Sequence, residues 1–173
     1  MKRTLLTAIM AVAAVVAFAG NPIKVTGGDK KFFKNAEGGM LLEVSYDGAT
    51  FDGKMPLTDK YSDIPNKTRI SYDGFIEEFG EKNKKITFVT TPAEAKYKMT
   101  IKITKIDEFI NMFGFVAGPC IRAWGILTVT PIEGGEPLLV VDIDEVDGGS
   151  SVTTDRAWND CFGELGKRIA KLK

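Results

Sequence analysis

The sequence predicts an α+β domain: a largely antiparallel sheet of about five strands with two amphipathic helices packed on one face. Three observations predict it. Residues 97–104 alternate strictly, with Tyr97, Met99, Ile101 and Ile103 between Lys98, Thr100, Lys102 and Thr104, the pattern of a sheet with one wet face. Two other stretches repeat apolar residues at helical spacing instead: Tyr72, Phe75, Ile76 and Phe79, then Trp158, Cys161, Phe162, Leu165, Ile169 and Leu172. Between two apolar runs stands Glu133-Gly134-Gly135-Glu136, a hairpin turn that pairs its neighbours antiparallel.

The elements follow in order. Lys2-Arg3, an apolar run over residues 5–18 and Ala17-Phe18-Ala19 give residues 1–19 the three parts of a secretory signal peptide. The run is shorter than the ~20 residues a membrane-spanning helix needs, so no transmembrane span is expected after cleavage. No cysteine follows Ala19 to carry a lipid, so the expected product is exported, periplasmic or secreted, and not lipid-anchored. Residues 20–38 are rich in Gly, Lys and Asn and read as an N-terminal arm held to the body by Ile23, Val25, Phe32 and Phe33. Residues 39–173 read as one α+β domain.

Within that domain, residues 41–46 alternate as a strand that residues 49–55 continue past Asp47-Gly48. Pro65 and Asn66-Lys67-Thr68 introduce the first helix, and Gly80 offers its stop. Strands follow at residues 86–90 and 97–104, then at about 121–130 and 138–146 on either side of the Gly134-Gly135 turn. The last helix begins at Thr154-Asp155, a cap with an acid in the first turn, and ends among Lys167, Arg168, Lys171 and Lys173.

Charge and composition exclude whole classes of chemistry. The chain carries 23 basic and 23 acidic residues, so no bulk field draws nucleic acid or an anionic membrane. The lysine runs at 82–85 and 167–173 read as solvated helix ends. There is no histidine, which removes the Ser-His-Asp and Cys-His nucleophile systems and histidine-based zinc sites. Gly27-Gly28 and Gly134-Gly135 lack the lysine and setting of a phosphate loop. Asp142, Asp144, Glu145 and Asp147 could offer oxygens to calcium, but their spacing misses the calcium-loop pattern and the wet face of a strand already explains Asp142 and Asp144. No catalytic residue, cofactor or metal site is therefore expected. Cys120 and Cys161 stand in an exported chain either as a disulfide closing a ~40-residue loop or as two buried thiols.

Several short motifs carry a resemblance. Thr26-Gly27-Gly28-Asp29 through Phe33-Lys34, Glu43-Val44-Ser45-Tyr46-Asp47, residues 75–79 with Asn83, Ala95-Lys96-Tyr97, and Asp155-Arg156 with Glu164-Leu165-Gly166-Lys167-Arg168-Ile169-Ala170 resemble an exported Bacteroidetes family of unknown function. The resemblance implies a fold similar to the amino-terminal domain of the Tol translocation protein and to the lipoprotein activators of penicillin-binding proteins. These are envelope scaffolds rather than catalysts, and the resemblance brings no catalytic residues with it.

One segment fits no regular element. Residues 109–119 are apolar without a period and contain two glycines and a proline. Their aromatics either tuck over an end of the sheet or are offered to a partner. Met112, Phe113, Phe115 and Val116 are accordingly candidate partner-binding residues, and Trp124, which shares a strand face with Cys120 and Arg122, is another. The expected function is a non-catalytic envelope module that binds another envelope protein. The alternative is a small-ligand or lipid binder with an apolar pocket between helices and sheet.

Overall fold

The computed structural model describes residues 21–111 and 118–172. The expected signal peptide and the candidate residues Met112, Phe113, Phe115 and Val116 lie outside the described residues.

Eight strands form one mixed sheet. In chain order the elements are β1 (Ile23–Gly28), helix α1 (Phe32–Asn35), β2 (Gly38–Ser45), β3 (Thr50–Phe51), β4 (Met55–Pro56), helices α2 (Leu57–Lys60) and α3 (Ile64–Lys82), β5 (Ile86–Val89), β6 (Tyr97–Asn111), β7 (Gly118–Pro131), β8 (Leu139–Asp147) and helix α4 (Thr154–Ala170). Across the sheet the order is β1-β8-β7-β6-β2-β5, with β3 paired to β6 and β4 to β3. The expectation of about five largely antiparallel strands and two helices is corrected by this architecture. β2 pairs parallel with both β5 and β6. The physical reason is connectivity: α3 returns the chain from the end of β2 to the start of β5, so the two strands must run the same way. β1, inside the expected arm, pairs antiparallel with β8.

Local sequence explains where the long helices begin and end. Asp63 caps α3, its carboxylate accepting from the Asn66 amide at 3.3 Å, and Pro65 sits in the first turn where its missing N–H costs nothing. The helix runs through Gly80 and stops at Asn83, whose amide side chain donates to the Phe33 carbonyl at 3.1 Å. Thr153, one residue before the expected start, caps α4 by accepting from the Arg156 amide at 3.2 Å. The two helices cross at glycines. A Cβ at Gly74 would lie 2.4 Å from the Asn159 carbonyl oxygen, and one at Gly166 would lie 2.4 Å from that of Phe75. Backbone meets backbone there, and no larger residue fits.

Behind the helices the interior is filled. Trp158, Phe75, Phe79, Phe162, Met40 and Met99 have no exposed surface. Phe75 and Phe79 stack at 5.7 Å, and Phe88 meets Phe79 edge-on at 5.2 Å. The one polar knot in this core surrounds Trp158. Its indole N–H donates to the Tyr46 hydroxyl at 2.8 Å and to Ser71 Oγ at 2.9 Å. Ser71 spends its proton on the Lys67 carbonyl at 2.7 Å, so the Tyr46 hydroxyl donates to Ser71 Oγ at 2.5 Å. Every member is therefore satisfied, and β2, α3 and α4 are joined at one point. Burial pushes the Tyr46 hydroxyl far toward its protonated form, which its hydrogen bonds with Ser71 and Trp158 only partly offset. Above the knot, Lys67 packs its ammonium 5.1 Å from the Trp158 ring and pairs with Asp155.

Two outcomes follow from this geometry. Ser71→Ala, which leaves the Tyr46 proton without its acceptor, should cost about 1–3 kcal/mol in urea unfolding. Gly166→Ala should cost about 1–3 kcal/mol or more by forcing the helices apart. An unchanged unfolding midpoint in either variant would contradict the packing described.

Candidate interaction surface

The open face of the sheet is built by strand alternation. Ile121, Ala123, Leu127 and Val129 of β7 are buried toward the helices, so Cys120, Arg122, Trp124 and Ile126 point the other way. Bulges shift the register between Ile103 and Lys105 in β6 and between Ala123 and Gly125 in β7, so Lys105 stands opposite Trp124. The Lys105 ammonium sits 3.4 Å from the centre of the Trp124 ring. Next along the face, the Arg122 guanidinium lies 4.0 Å from the Phe109 ring and pairs with Glu145 at 2.8 Å. Glu145 adopts a positive φ of 56°, a conformation a non-glycine residue holds only when its surroundings fix it. Ile126 is 42% exposed on the same face.

Beyond these residues the β6–β7 pair continues as an arm. The pairing of β2 with β6 stops at Lys102, that of β3 at Ile106, and that of β8 with β7 at Arg122. Asp107–Asn111 and Gly118–Arg122 go on pairing with each other, Ile110 opposite Pro119. Of residues 109–119, expected to hold no continuous regular element, 109–111 and 118–119 are strand. Pro119 lies beyond the last β8 partner, where β7 is an edge strand, and its carbonyl accepts from the Ser151 amide at 3.0 Å. Ile110 is 68% exposed. A two-stranded ribbon is marginal by itself, and here the segment after β8 and Tyr61 brace it. Tyr61 and Thr154 hold the arm's base by donating to the two oxygens of Glu108, at 2.7 and 2.9 Å.

The two cysteines are free thiols, both buried. Cys120 shares the open face with Arg122, whereas Cys161 lies on α4 and its thiol donates to the Val146 carbonyl at 3.2 Å. Burial, with Asp147 adding, pushes the Cys120 thiol up to about 11, and burial holds that of Cys161 well above its usual value. The carboxylates considered for calcium do not converge. Asp142 and Asp144 are exposed, Glu145 is engaged with Arg122, and Asp147 accepts from the Gly149 amide at 3.1 Å. Among the described residues no three His, Cys, Asp or Glu side chains are grouped to hold a metal ion. Among the same residues no helix is long and apolar enough to cross a membrane.

Of the expected contact residues, Trp124 alone falls among those described, and the structure surrounds it with Lys105, Arg122, Phe109 and Ile126. Sequence reasoning missed Lys105 because the bulge moves it onto the face that Thr104 would otherwise occupy. The available signal was Gly125, where a Cβ would lie 2.3 Å from the Lys102 carbonyl oxygen.

Comparison with known proteins adds likeness without identity. No family model matches the chain, and no curated protein matches it in sequence. A PelC dodecamer from Paraburkholderia phytofirmans is similar in structure with a TM-score of 0.48 and 9% identity, over 84% of this chain and 96% of that one. A variant of the same dodecamer gives 0.44 and 6% identity, over 85% and 97%. A homologue of the neuraminyllactose-binding hemagglutinin from Helicobacter pylori gives 0.36 and 8% identity, over 79% and 85%. None of these three is a Tol or penicillin-binding-protein activator domain, and at such scores none carries an argument about function.

Alkylation at pH 8 checks the thiol environments. The native protein should react slowly, since the Cys120 shift alone lowers its thiolate fraction about a hundredfold, and unfolding should release two reactive thiols. A disulfide would release none. The sign of the pH dependence follows from the same shifts. Tyr46, Tyr61, Cys120 and Cys161 all hold protons more tightly when folded, so their contribution is complete below the unfolded values. It is lost as pH rises from about 9 toward 11, where the unfolded chain ionises first. Urea midpoints that rise across that range would contradict the assignment.

Proposed function

We propose that this chain acts outside the cytoplasm as a non-catalytic interaction module, docking another envelope protein through the open sheet face around Trp124 and the adjoining β6–β7 arm. The observation that carries the proposal is the composition of that face. Trp124 and Phe109 lie under the cations of Lys105 and Arg122, beside exposed Ile126, while Ile110, opposite Pro119, is exposed on the other face of the arm. Aromatic residues and arginine concentrate at the centres of protein interfaces, because they bury large rigid surfaces while keeping a polar handle. An arm braced on one side gains further order when a partner covers the other.

The non-catalytic reading is supported by the state of the reactive groups. The chain has no histidine, and burial drives the two thiols and the Tyr46 hydroxyl toward their inert protonated forms. The export reading is supported by the pattern of residues 1–19. The space between helices and sheet is occupied by Trp158, Phe75, Phe79 and Phe162, which favours recognition by surface over a ligand held inside.

Cross-linking in the native envelope tests the proposal. Replacing both Trp124 and Ile126 by Ser should cut recovery of the main cross-linked partner at least tenfold, since two central contacts contribute about 1–2 kcal/mol each, while the circular dichroism spectrum stays unchanged. Equal recovery from the folded double variant would overturn it.

A further inference from the structure

The two lysine runs read separately as solvated helix ends meet in space. The C-terminal ends of α3 and α4 come together beside α1 and enclose a groove of about 450 Å³. Its floor is apolar, with Phe33 buried and Leu172 half-buried. Lys34, Lys82, Lys84, Lys85 and Lys171 surround it. Among the described residues Lys82 reaches Glu81 at 3.4 Å and Lys85 donates to the Lys34 carbonyl at 3.0 Å. The ammonium groups of Lys34, Lys84 and Lys171 make no ion pair or hydrogen bond among the described residues, and all three residues are exposed. A second groove shares Leu172 and continues the pattern with Ile23 and Val25 beside Lys24 and Lys30.

Helix ends alone do not account for this density of charge. Each long helix presents roughly half a negative charge at its C-terminus, so two helices and Glu81 offset only about two of the five lysines. About three positive charges are left over an apolar floor, on a chain whose total is balanced. A purely polar polyanion would have no use for the half-buried Leu172. A phospholipid surface uses the charge and the apolar side chain alike, since its phosphates meet the ammonium groups and its glycerol and upper acyl region covers Leu172.

We propose that this end of the molecule docks on an anionic phospholipid surface, with Lys34, Lys84 and Lys171 meeting lipid phosphates and Leu172 facing the bilayer. The contact is peripheral and reversible. It lies away from the open sheet face, so the protein can sit on a membrane and hold a partner at once.

Co-sedimentation of the purified protein with phosphatidylcholine vesicles, with and without phosphatidylglycerol, tests this. Binding should require phosphatidylglycerol and weaken with added salt. Replacing Lys34, Lys84 and Lys171 together by Gln should reduce partitioning about a hundredfold, at roughly fivefold per lysine near a charged surface. Lys98→Gln with Lys102→Gln, which removes as much charge per site from the other side of the sheet, should leave binding nearly intact. Leu172→Ser should weaken it even at low salt. Three results would each overturn the proposal: no binding to phosphatidylglycerol vesicles, equal loss in both lysine variants, or binding that ignores the triple substitution.

Discussion

The rest of the structure depends on one buried contact, the Trp158 indole N–H shared between the Tyr46 hydroxyl and Ser71 Oγ. It is the point at which a central strand and both long helices are fixed to one another by direction as well as by area. Apolar burial would hold α3 and α4 on the sheet at many small offsets. A satisfied polar group with no exposure to water admits one, because any slip leaves a donor or acceptor unpaired at a cost of ~1–3 kcal/mol. The glycine contacts at Gly74 and Gly166 work in the same sense, allowing the helices to approach until backbone touches backbone.

That arrangement divides the molecule by role. One side of the sheet is closed by helices, and the interface there is filled with aromatic rings. The opposite face and the two ends of the molecule remain. At one end the β6–β7 pair outruns its neighbours, and at the other the helices finish among lysines. The even balance of charge over the whole chain conceals this, since Glu108, Glu145 and Asp155 near the arm are paired with Lys60, Arg122 and Lys67, whereas Lys34, Lys84 and Lys171 at the far end pair with no acid among the described residues. The proposed recognition role rests on those remaining surfaces.

Much of this was legible in the sequence, and the failures have physical causes. The alternation in residues 97–104 and the stripes holding Phe75 and Trp158 mark their elements because burial on one face imposes a period. The parallel pairing of β2 was missed although strand, helix, strand stood in order; alternation was read as antiparallel when it reports only a half-exposed face. β1 was missed because an edge strand carries polar residues and glycines that look like an arm. Gly80 did not stop α3, since the groups that decide the helix end are Asn83 and the Phe33 carbonyl, fifty residues apart in sequence. For the candidate surface, Trp124 could be named from its strand face. Its partner Lys105 could not, because a bulge changes parity without changing composition. The convergence of Lys34, Lys84 and Lys171 depends on tertiary structure alone.

Native-state hydrogen exchange, read residue by residue, tests most directly the claim that the Trp158 knot fixes a closed half while the arm stays available for contact. Amides of Ile101, Ile103, Leu127 and Val141 should exchange only through global unfolding. Those of Asp107–Asn111 and Gly118–Ile121 should exchange orders of magnitude faster in the free protein. Equal protection of the arm and the central strands would make the arm part of the core and contradict the account.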